Sequence, residues 1–453
     1  MRLRSRALLA GELAALAVLL AAHVVLLTRL LHTATTFDEG VYLLSLEDLR
    51  HGEALGRQVF TSQAPGFYLL LQAIGAVFGT SVAGVRLGIV TIDALGALFA
   101  FLLGRRLAGP VGGLACAGMI AIAPKLPNFG GRIFADAPAM ALVLAALWLT
   151  AARRPLPAGA VFAAAVLVKL SALTALPTLI VLMAVGRERM RTLREGAAGA
   201  ALLIVIFALV YMRDLGGIWH GAVAYHLHSK GNLGSNGRHE LEGFFSTSTP
   251  FAWLTLAALA VLPLVWRRVW PLWLWALFAS VFVLRYHPLR DNHLLVLPYA
   301  FAIPAGVSLG LVAQRFRPRV LAVVLAAGAV VLAAGWVQQL HRVRLDRQPE
   351  DPRLVAAAAK LDQLTRPGEL VISDQPIVAY LAHRRVPGKY VDTASLRFDT
   401  GSLTEADVVR DSTHVAAIVA GRAFFDRPSL MAALRTRFPH RVVLPGAVIF
   451  YGR

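Results

Sequence analysis

The chain has 453 residues, of which 57% are hydrophobic and only 16% charged, a composition that indicates a membrane protein and excludes an ordinary soluble one. The formal net charge is +19, but the basic residues stand in short clusters between apolar runs without an aromatic-plus-basic module, which excludes a nucleic-acid-binding protein. The single cysteine, Cys116, excludes an intramolecular disulfide and a cysteine metal site.

Apolar runs and basic clusters together predict the membrane topology. The first run, residues 7–31, is longer than a signal-peptide core and lacks a small-x-small cleavage site, so we expect a retained anchor. Cytoplasmic loops carry an excess of arginine and lysine, so an even number of spans should separate successive basic clusters. These clusters are Arg2/Arg4/Arg6, Arg105/Arg106, Arg153/Arg154, Arg187/Arg189/Arg191/Arg194, Arg267/Arg268 and Arg315/Arg317/Arg319.

This rule predicts an α-helical polytopic membrane protein with about 11 transmembrane helices, a cytoplasmic N-terminus and an extracytoplasmic C-terminus. The predicted spans are residues 7–31, 85–104, 111–124, 137–149, two short helices within 157–185 that meet near Lys169 and Pro177, 197–212, 250–266, 270–284, 294–314 and 320–340. The external loops are residues 32–84, 125–136, 213–249 and 285–293. Residues 66–78 are too short for a span and should lie in the external interface.

The C-terminal region differs from the rest of the chain. In residues 346–453, short β-branched runs alternate with amphipathic helices, which predicts a small extracytoplasmic α/β domain next to a membrane domain of residues 1–345. This region has neither a glycine-rich phosphate loop nor a nucleophile elbow. We therefore expect a substrate-side cover or docking domain rather than a second active site.

An adjacent carboxylate pair, Asp38-Glu39, follows the first span. Two negative charges at the mouth of a membrane span are costly, which favours a chemical role. A carboxylate there can act as a general base for an incoming hydroxyl or can hold a divalent metal. The structural alternative is a helix cap, with Asp38 capping a helix that starts near Gly40.

Further charged residues stand at the second external turn and within the apolar hairpin. Arg132 and Asp136 frame the turn, where they either pair with each other or point into a cavity. Lys169 interrupts an apolar hairpin and needs a counter-charge or water, and a phosphate is a natural partner for it. Asp93, inside the second span, is either that counter-charge or a packing residue. The alternatives are an ion pair at a helix start for Asp136 and snorkelling for Lys169.

Two external segments are candidate binding surfaces. One is the cationic segment just before a span, with Arg285, His287, Arg290 and His293. These side chains can bind a phosphate or pyrophosphate through charge-assisted hydrogen bonds. The alternative is a solvated loop. The long loop 213–249 carries further histidines and aromatic residues.

Histidine and carboxylate residues also raise the question of a metal. His226 and His228 favour a surface for a sugar or an acceptor more than a metal site, because they lack a fixed spacing to other ligands. Asp38, Glu39 and Asp136 are the candidate ligands for a possible divalent metal, Mg²⁺ or Mn²⁺.

Six short motifs together resemble a known family. They are Phe37-Asp38-Glu39-Gly40-Val41-Tyr42, Gln63-Ala64-Pro65-Gly66-Phe67-Tyr68-Leu69-Leu70, Gly84-Val85-Arg86-Leu87, Phe134-Ala135-Asp136-Ala137-Pro138, Val168-Lys169-Leu170-Ser171-Ala172-Leu173-Thr174-Ala175-Leu176-Pro177 and His293-Leu294-Leu295-Val296-Leu297-Pro298. By the order of these motifs and their placement on one face, the chain resembles the integral-membrane GT-C glycosyltransferases, in particular the bacterial relatives of dolichyl-phosphate-mannose protein mannosyltransferases. The resemblance covers about residues 5–340, and the C-terminal domain resembles the extracytoplasmic domains of some of these proteins.

The resemblance implies a GT-C fold and a mannosyltransferase-like transfer of a hexose. The sugar would move, with inversion, from a polyprenyl-phosphate carrier to a protein, lipid or glycan acceptor outside the cytoplasm, in the inner or plasma membrane. Asp38 would be the catalytic base, and Glu39 would orient it or help hold a metal. Lys169 and the segment 285–293 would contact the lipid phosphate.

Tyr42 and Gln63 lie in these motifs and complete the predicted substrate-binding residues. Many relatives have Lys-Pro-Pro or His-Pro-Pro where this chain has Gln63-Ala64-Pro65, and an arginine-tyrosine pair where it has Asn292-His293. Both differences affect expected contacts with the donor phosphate.

Two other functions remain open from the sequence. A transporter or flippase for a lipid-linked or anionic substrate would also use intramembrane Asp93, Lys169 and a broken helix pair. A non-catalytic scaffold would keep the fold and lose the phosphate contacts. The sequence indicates neither the sugar nor the acceptor.

Overall fold

The computed structural model describes residues 2–185, 188–227, 237–286 and 289–452, with the side chains of residues 2–8 and 345–346 excepted. Contacts divide the chain into two units. The helical unit contains Met1–Leu31, Arg86–Leu209 and Gly231–Arg347, and the mixed unit contains His32–Val85, Val210–Lys230 and Gln348–Arg453. The predicted sequence division into residues 1–345 and 346–453 stays a prediction.

Helices dominate both units, and strands occur only near the C-terminus of the described chain. In chain order the helices are α1 (Arg2–Thr28), α2 (Phe37–Arg50), α3 (Pro65–Phe78), α4 (Val82–Ala121), α5 (Leu126–Phe129), α6 (Asp136–Ala151), α7 (Pro155–Val168), α8 (Leu176–Ala184), α9 (Arg189–Val210), α10 (Leu215–Trp219), α11 (Tyr225–Leu227), α12 (Gly237–Ser246), α13 (Thr249–Ala260), α14 (Leu262–Arg285), α15 (Val296–Ala313), α16 (Pro318–Asp346), α17 (Pro352–Leu364), α18 (Pro376–Leu381), α19 (Ser395–Asp399), α20 (Glu405–Asp411) and α21 (Pro428–Arg437). The strands are β1 (Val371–Ser373), β2 (Ala417–Ala420), β3 (His440–Leu444) and β4 (Ala447–Tyr451).

The helical unit is built from long apolar helices. Within the described residues, six helices have the length and composition to cross a membrane: 9–28, 82–121, 189–210, 262–285, 291–313 and 318–344. Shorter apolar helices lie at 65–78, 136–151, 155–168, 170–184 and 249–260. The chain is thus a multi-pass membrane protein, and the predicted α-helical polytopic fold is confirmed. The crossing number of about 11 and the orientation of the termini stay predictions.

Two breaks between helices show which sequence signals end a helix. Within α4 the backbone leaves helical geometry at Ala108 and at Gly109, whose φ of +68° suits glycine, and Pro110 follows. The predicted break between residues 104 and 111 is found there. The predicted break around Arg267 is wrong, because α13 ends at Ala260 and α14 runs from Leu262 through the arginines. Arginine is a good helix former, whereas Pro263 is the residue that suits a helix start.

Close backbone contact and a buried polar network hold the helical unit together. A Cβ at Gly306 on α15 would lie 2.6 Å from the backbone N of Cys116 on α4, so only glycine permits this approach. His23 Nε2 lies 2.9 Å from Asp93 Oδ2, and the Tyr299 hydroxyl donates to Asp93 Oδ1. These three buried side chains link α1, α4 and α15. Of the two predicted roles for Asp93, counter-charge of Lys169 or packing residue, the structure shows the packing role.

The mixed unit contains a four-stranded sheet in the order β1-β2-β4-β3. Strands β1 and β2 are parallel, with Val371 opposite Ala417, while β4 is antiparallel to both β2 and β3. Residues of β1 and β2 are buried throughout, as expected for strands covered on both faces. The predicted small C-terminal α/β fold is confirmed.

Candidate functional site

The carboxylate turn, residues Thr36 to Glu39, opens α2 in the mixed unit. The Thr36 hydroxyl accepts a hydrogen bond from Glu39 N at 3.2 Å, and Glu39 Oε2 accepts one from Thr36 N at 2.9 Å. This is a capping box, in which two backbone N–H groups that a helix start leaves without partners are satisfied reciprocally. The alternative in which Asp38 caps a helix starting near Gly40 is wrong, because the helix begins at Phe37 and Thr36 is its cap.

The two adjacent carboxylates are in different environments. Glu39 is fully buried and its Oε2 serves the cap, whereas Asp38, at the second helical position, is half-buried. Tyr42, one turn further on, is also buried, and its ring packs at 5.0 Å from the Phe67 ring on α3. Of the carboxylate pair, Asp38 is therefore the one that a molecule from outside can reach.

The mixed unit brings His226 next to the segment that holds Gln63. The Nε2 of His226 donates to the backbone carbonyl of Ser62 at 2.8 Å, and the rings of Tyr225 and Phe60 meet edge to face at 5.6 Å. Gln63 is half-buried. His228 lies outside the described residues, and its role stays a prediction.

A buried charge cluster of Asp136, Lys169 and Asn292 lies in the helical unit. Lys169 Nζ is 3.3 Å from Asp136 Oδ2, and Asn292 Nδ2 donates to the same oxygen at 3.4 Å. All three residues are at most 9% exposed. Lys169 follows the last residue of α7 in an extended conformation, which carries its ammonium out of the helix. The counter-charge of Lys169 is thus Asp136 rather than Asp93.

Other predicted residues lie around the turn before α6 and the segment before α15. Arg132 Nε donates to the carbonyl of Asn128 at 3.0 Å. Lys125, whose φ of +65° is unusual for a non-glycine residue, forms an ion pair with Asp291 at 2.7 Å. His293 Nδ1 accepts from Arg290 N at 3.1 Å.

The remaining cations of this segment differ in exposure. Arg285 and Arg290 are exposed, and His293 packs its ring 5.0 Å from that of Tyr286. His287 lies outside the described residues. The sequence did not predict that Asn292 contacts Asp136 or that Lys125 pairs with Asp291, although both residues lie in the predicted external loops 285–293 and 125–136.

The described residues do not fit a metal centre with three or more protein ligands. No group of at least three His, Cys, Asp or Glu side chains comes together among them. Asp136 is paired with Lys169, and one oxygen of Glu39 is used by the cap.

Several solved structures share this fold. The crystal structure of ArnT from Cupriavidus metallidurans in the apo state aligns over 99% of this chain and 98% of that chain, with 15% identity and a TM-score of 0.72. The same ArnT bound to undecaprenyl phosphate aligns over 97% and 98%, with 16% identity and a TM-score of 0.67. The archaeal oligosaccharyltransferase AglB from Archaeoglobus fulgidus, in complex with an inhibitory peptide and a dolichol-phosphate, aligns over 91% and 69%, with 13% identity and a TM-score of 0.55.

Sequence comparison adds a local match. The family model described as ALG3 protein matches residues 129–226, the stretch that contains Asp136 and Lys169. No curated protein sequence gives a significant match. The resemblance to the GT-C glycosyltransferases is confirmed for the fold, which spans nearly the whole chain.

Proposed function

We propose that the protein is an inverting glycosyltransferase that moves a sugar from a polyprenyl-phosphate carrier to an extracytoplasmic acceptor. One observation carries this proposal: the fold matches, over 97% of the chain, a structure that was solved with undecaprenyl phosphate bound. A multi-pass membrane protein suits such a donor, because the polyprenyl tail stays in lipid while the sugar phosphate reaches the polar residues. The protein, lipid or glycan acceptor is to be identified by the assay below.

The reaction defines what the protein must supply. An acceptor hydroxyl attacks the anomeric carbon on the face opposite the phosphate, a new C–O bond forms, and the bond to the phosphate oxygen breaks. The hydroxyl proton passes to a base, and the electron pair leaves with the polyprenyl phosphate. Catalysis therefore needs one carboxylate at the acceptor hydroxyl and positive charge at the departing phosphate.

We assign the base to Asp38. It is the accessible member of the carboxylate pair, and it stands in the first turn of a helix, where the helix dipole favours a negative charge. Glu39 supports it indirectly, because its carboxylate completes the capping box that fixes this turn. Tyr42 holds the same helix against α3 through its ring.

We assign the donor phosphate to cations of the helical unit. Lys169 is the buried candidate, and a phosphate would replace or share its ion pair with Asp136. Arg132, Arg285, Arg290 and the half-buried His293 are further candidates, and Asn292 would orient Asp136 while Lys169 changes partner. Gln63 and His226 remain candidates for contacts with the sugar or acceptor.

The assay uses the full chain purified into lipid with radiolabelled polyprenyl-phosphate sugars and a panel of peptide, lipid and glycan acceptors. Asp38→Asn should lower transfer by at least about 100-fold, the usual contribution of a general base. Glu47→Gln is the matched control, because it makes the same carboxyl-to-amide change on the same helix at another half-buried position, and it should stay within about twofold of the native rate.

The transporter alternative predicts a different outcome of the same experiment. If no donor releases polyprenyl phosphate while lipid-linked sugar crosses the vesicle bilayer, the transferase proposal is wrong. If transfer occurs but Asp38→Asn keeps native activity, the reaction stands and the assignment of the base is wrong.

A further inference from the structure

The residues just before the carboxylate turn are held by the stretch that follows α16. Ala34 N donates to the carbonyl of Gln348 at 2.8 Å. Glu350 Oε2 accepts two hydrogen bonds from Thr35, one from its backbone N at 2.9 Å and one from its hydroxyl at 2.7 Å. The cap residue Thr36 comes next, so the anchored residues lead directly into the first turn of α2.

The other side of this turn also meets C-terminal residues of the mixed unit. A Cβ at Gly40 would lie 2.8 Å from Ile377 N at the start of α18. The guanidinium of Arg422 lies 5.1 Å from the ring centroid of Phe37, the residue before Asp38. Contacts from sequence-distant segments thus confine both the entry to α2 and its first turn.

We propose that Glu350 is a positioning residue for Asp38, and this inference rests on the proposed role of Asp38 as the base. Its carboxylate is a charged acceptor, which makes hydrogen bonds stronger than a neutral acceptor does. It acts through Thr35, three residues before Asp38, and touches neither donor nor acceptor. A displacement of about 1 Å at a reacting group can cost about 100-fold in rate, so a fixed entry to the turn matters for catalysis.

Glu350 is not positioned to hold the C-terminal core itself. It is half-buried in the irregular stretch between α16 and α17, outside the sheet. The connection after β1 is fixed separately by Asp374, which accepts hydrogen bonds from the backbone N of Gly421 at 2.7 Å and of Phe424 at 2.8 Å. The C-terminal region therefore has a role beyond the cover or docking function expected from the sequence: it fixes the geometry of the carboxylate turn.

The test compares Glu350→Ala and Glu350→Gln with the matched control Glu369→Gln in the full chain. Glu369 is also half-buried in the mixed unit, and it accepts a local hydrogen bond from Arg366 N at 2.8 Å. Glu350→Ala should lower kcat by about 10- to 100-fold while the KM for the polyprenyl-phosphate sugar changes by less than about threefold. Glu350→Gln keeps an acceptor oxygen and should recover a large part of kcat. Glu369→Gln should leave both constants within about twofold.

Two further measurements separate positioning from a general loss of structure. In a Thr35→Ala background, which lacks one of the two hydrogen bonds, Glu350→Ala should reduce kcat by a smaller factor than in the native chain. Amide hydrogen exchange in Glu350→Ala should speed up at residues 36–40 and stay native in the sheet, a readout that needs no activity.

The outcomes distinguish this proposal from the function on which it rests. If the native chain is inactive but amide exchange at residues 36–40 is faster in Glu350→Ala, the proposed function is rejected. The structural part of this proposal, that Glu350 holds the carboxylate turn through Thr35, is then kept. Native kcat in Glu350→Ala, or an equal loss in Glu369→Gln, would reject the positioning role. Uniformly faster exchange throughout the mixed unit would show that Glu350 supports the fold instead, and would also reject it.

Discussion

The carboxylate turn and the buried charge cluster hold their aspartates in opposite ways. The turn is fixed by residues three apart in sequence, and Asp38 keeps part of its surface accessible. The cluster joins Asp136, Lys169 and Asn292, which are far apart in sequence and almost fully buried. A carboxylate at an accessible helix start can exchange a proton with an incoming molecule, whereas a buried ion pair is costly to open. Under the proposed function, Asp38 is the group for proton transfer, and Lys169 of the buried cluster is the group for a charged ligand.

The largest effect should come from breaking the buried pair. Lys169→Met leaves Asp136 as an uncompensated buried charge and should cost about 3–5 kcal/mol of unfolding free energy, along with transfer activity. The measurement is unfolding in lipid nanodiscs. The double variant Lys169→Met/Asp136→Asn should recover most of this loss, while Lys360→Met on α17 should change stability by less than about 0.5 kcal/mol. A double variant no more stable than Lys169→Met would contradict the pairing.

Displacing the Asp38 carboxylate without removing its charge should lower the transfer rate and leave the free energy of unfolding nearly unchanged. Asp38→Glu keeps the charge and displaces the carboxylate by one methylene, so kcat should fall by about 100-fold, which corresponds to about 2.7 kcal/mol of activation free energy. Steady-state kinetics and thermal unfolding measured on the same preparation separate the two quantities. A drop in stability matching that of Lys169→Met would remove the contrast between the two regions.

A pH effect should arise at the far end of α2. Burial raises the pKa of Asp48 from 3.8 to about 7, with Glu53 adding to the rise and Arg385 opposing it. The folded state then binds a proton more tightly than the unfolded chain, so this contribution to stability is full below pH 3.8 and is lost as the pH rises to about 7. The slope is at most about 1.4 kcal/mol per pH unit.

Asp48→Asn tests this sign, because the amide does not titrate and the decline in stability between pH 4 and 7 should become shallower by about that slope. Unfolding measured at several pH values gives the difference. An unchanged or steeper decline in the variant would contradict the raised pKa. Glu369→Gln is the control, because Glu369 is also half-buried and is not among the groups that shift the pKa of Asp48.

The smallest effect should come from the cap. Thr36→Ala removes the hydroxyl that accepts from Glu39 N, and loss of such a cap costs about 1 kcal/mol. Thr36→Ser keeps the hydroxyl and should be close to native in thermal unfolding. Because the cap fixes the turn that holds Asp38, a measurable fall in kcat should accompany the loss. Native kcat in Thr36→Ala would show that the capping box does not orient Asp38.

The candidate site could be predicted only in part. The pair Asp38-Glu39 stood out because two adjacent negative charges at the mouth of a membrane span are costly, and the spacing of Thr36 and Glu39 already contained the capping-box signal. The pairing of Lys169 with Asp136 could not be predicted from the sequence, because Asp93 was also a candidate counter-charge for Lys169. The side chains of His23 and Tyr299 contact the Asp93 carboxylate, and no sequence pattern predicted these two contacts.

The sequence by itself determined the membrane class, most of the apolar helices and the small α/β fold at the C-terminus, because these depend on runs and periodicities of neighbouring residues. It placed the break near Gly109 correctly and the one near Arg267 wrongly, because glycine and proline change local backbone geometry whereas arginine does not. Only the tertiary structure decided which partner each buried charge takes and that Glu350 meets Thr35. Such contacts join residues that lie 33 positions apart, for Asp136 and Lys169, to 315 positions apart, for Thr35 and Glu350, and their energy depends on distance and burial in the folded chain.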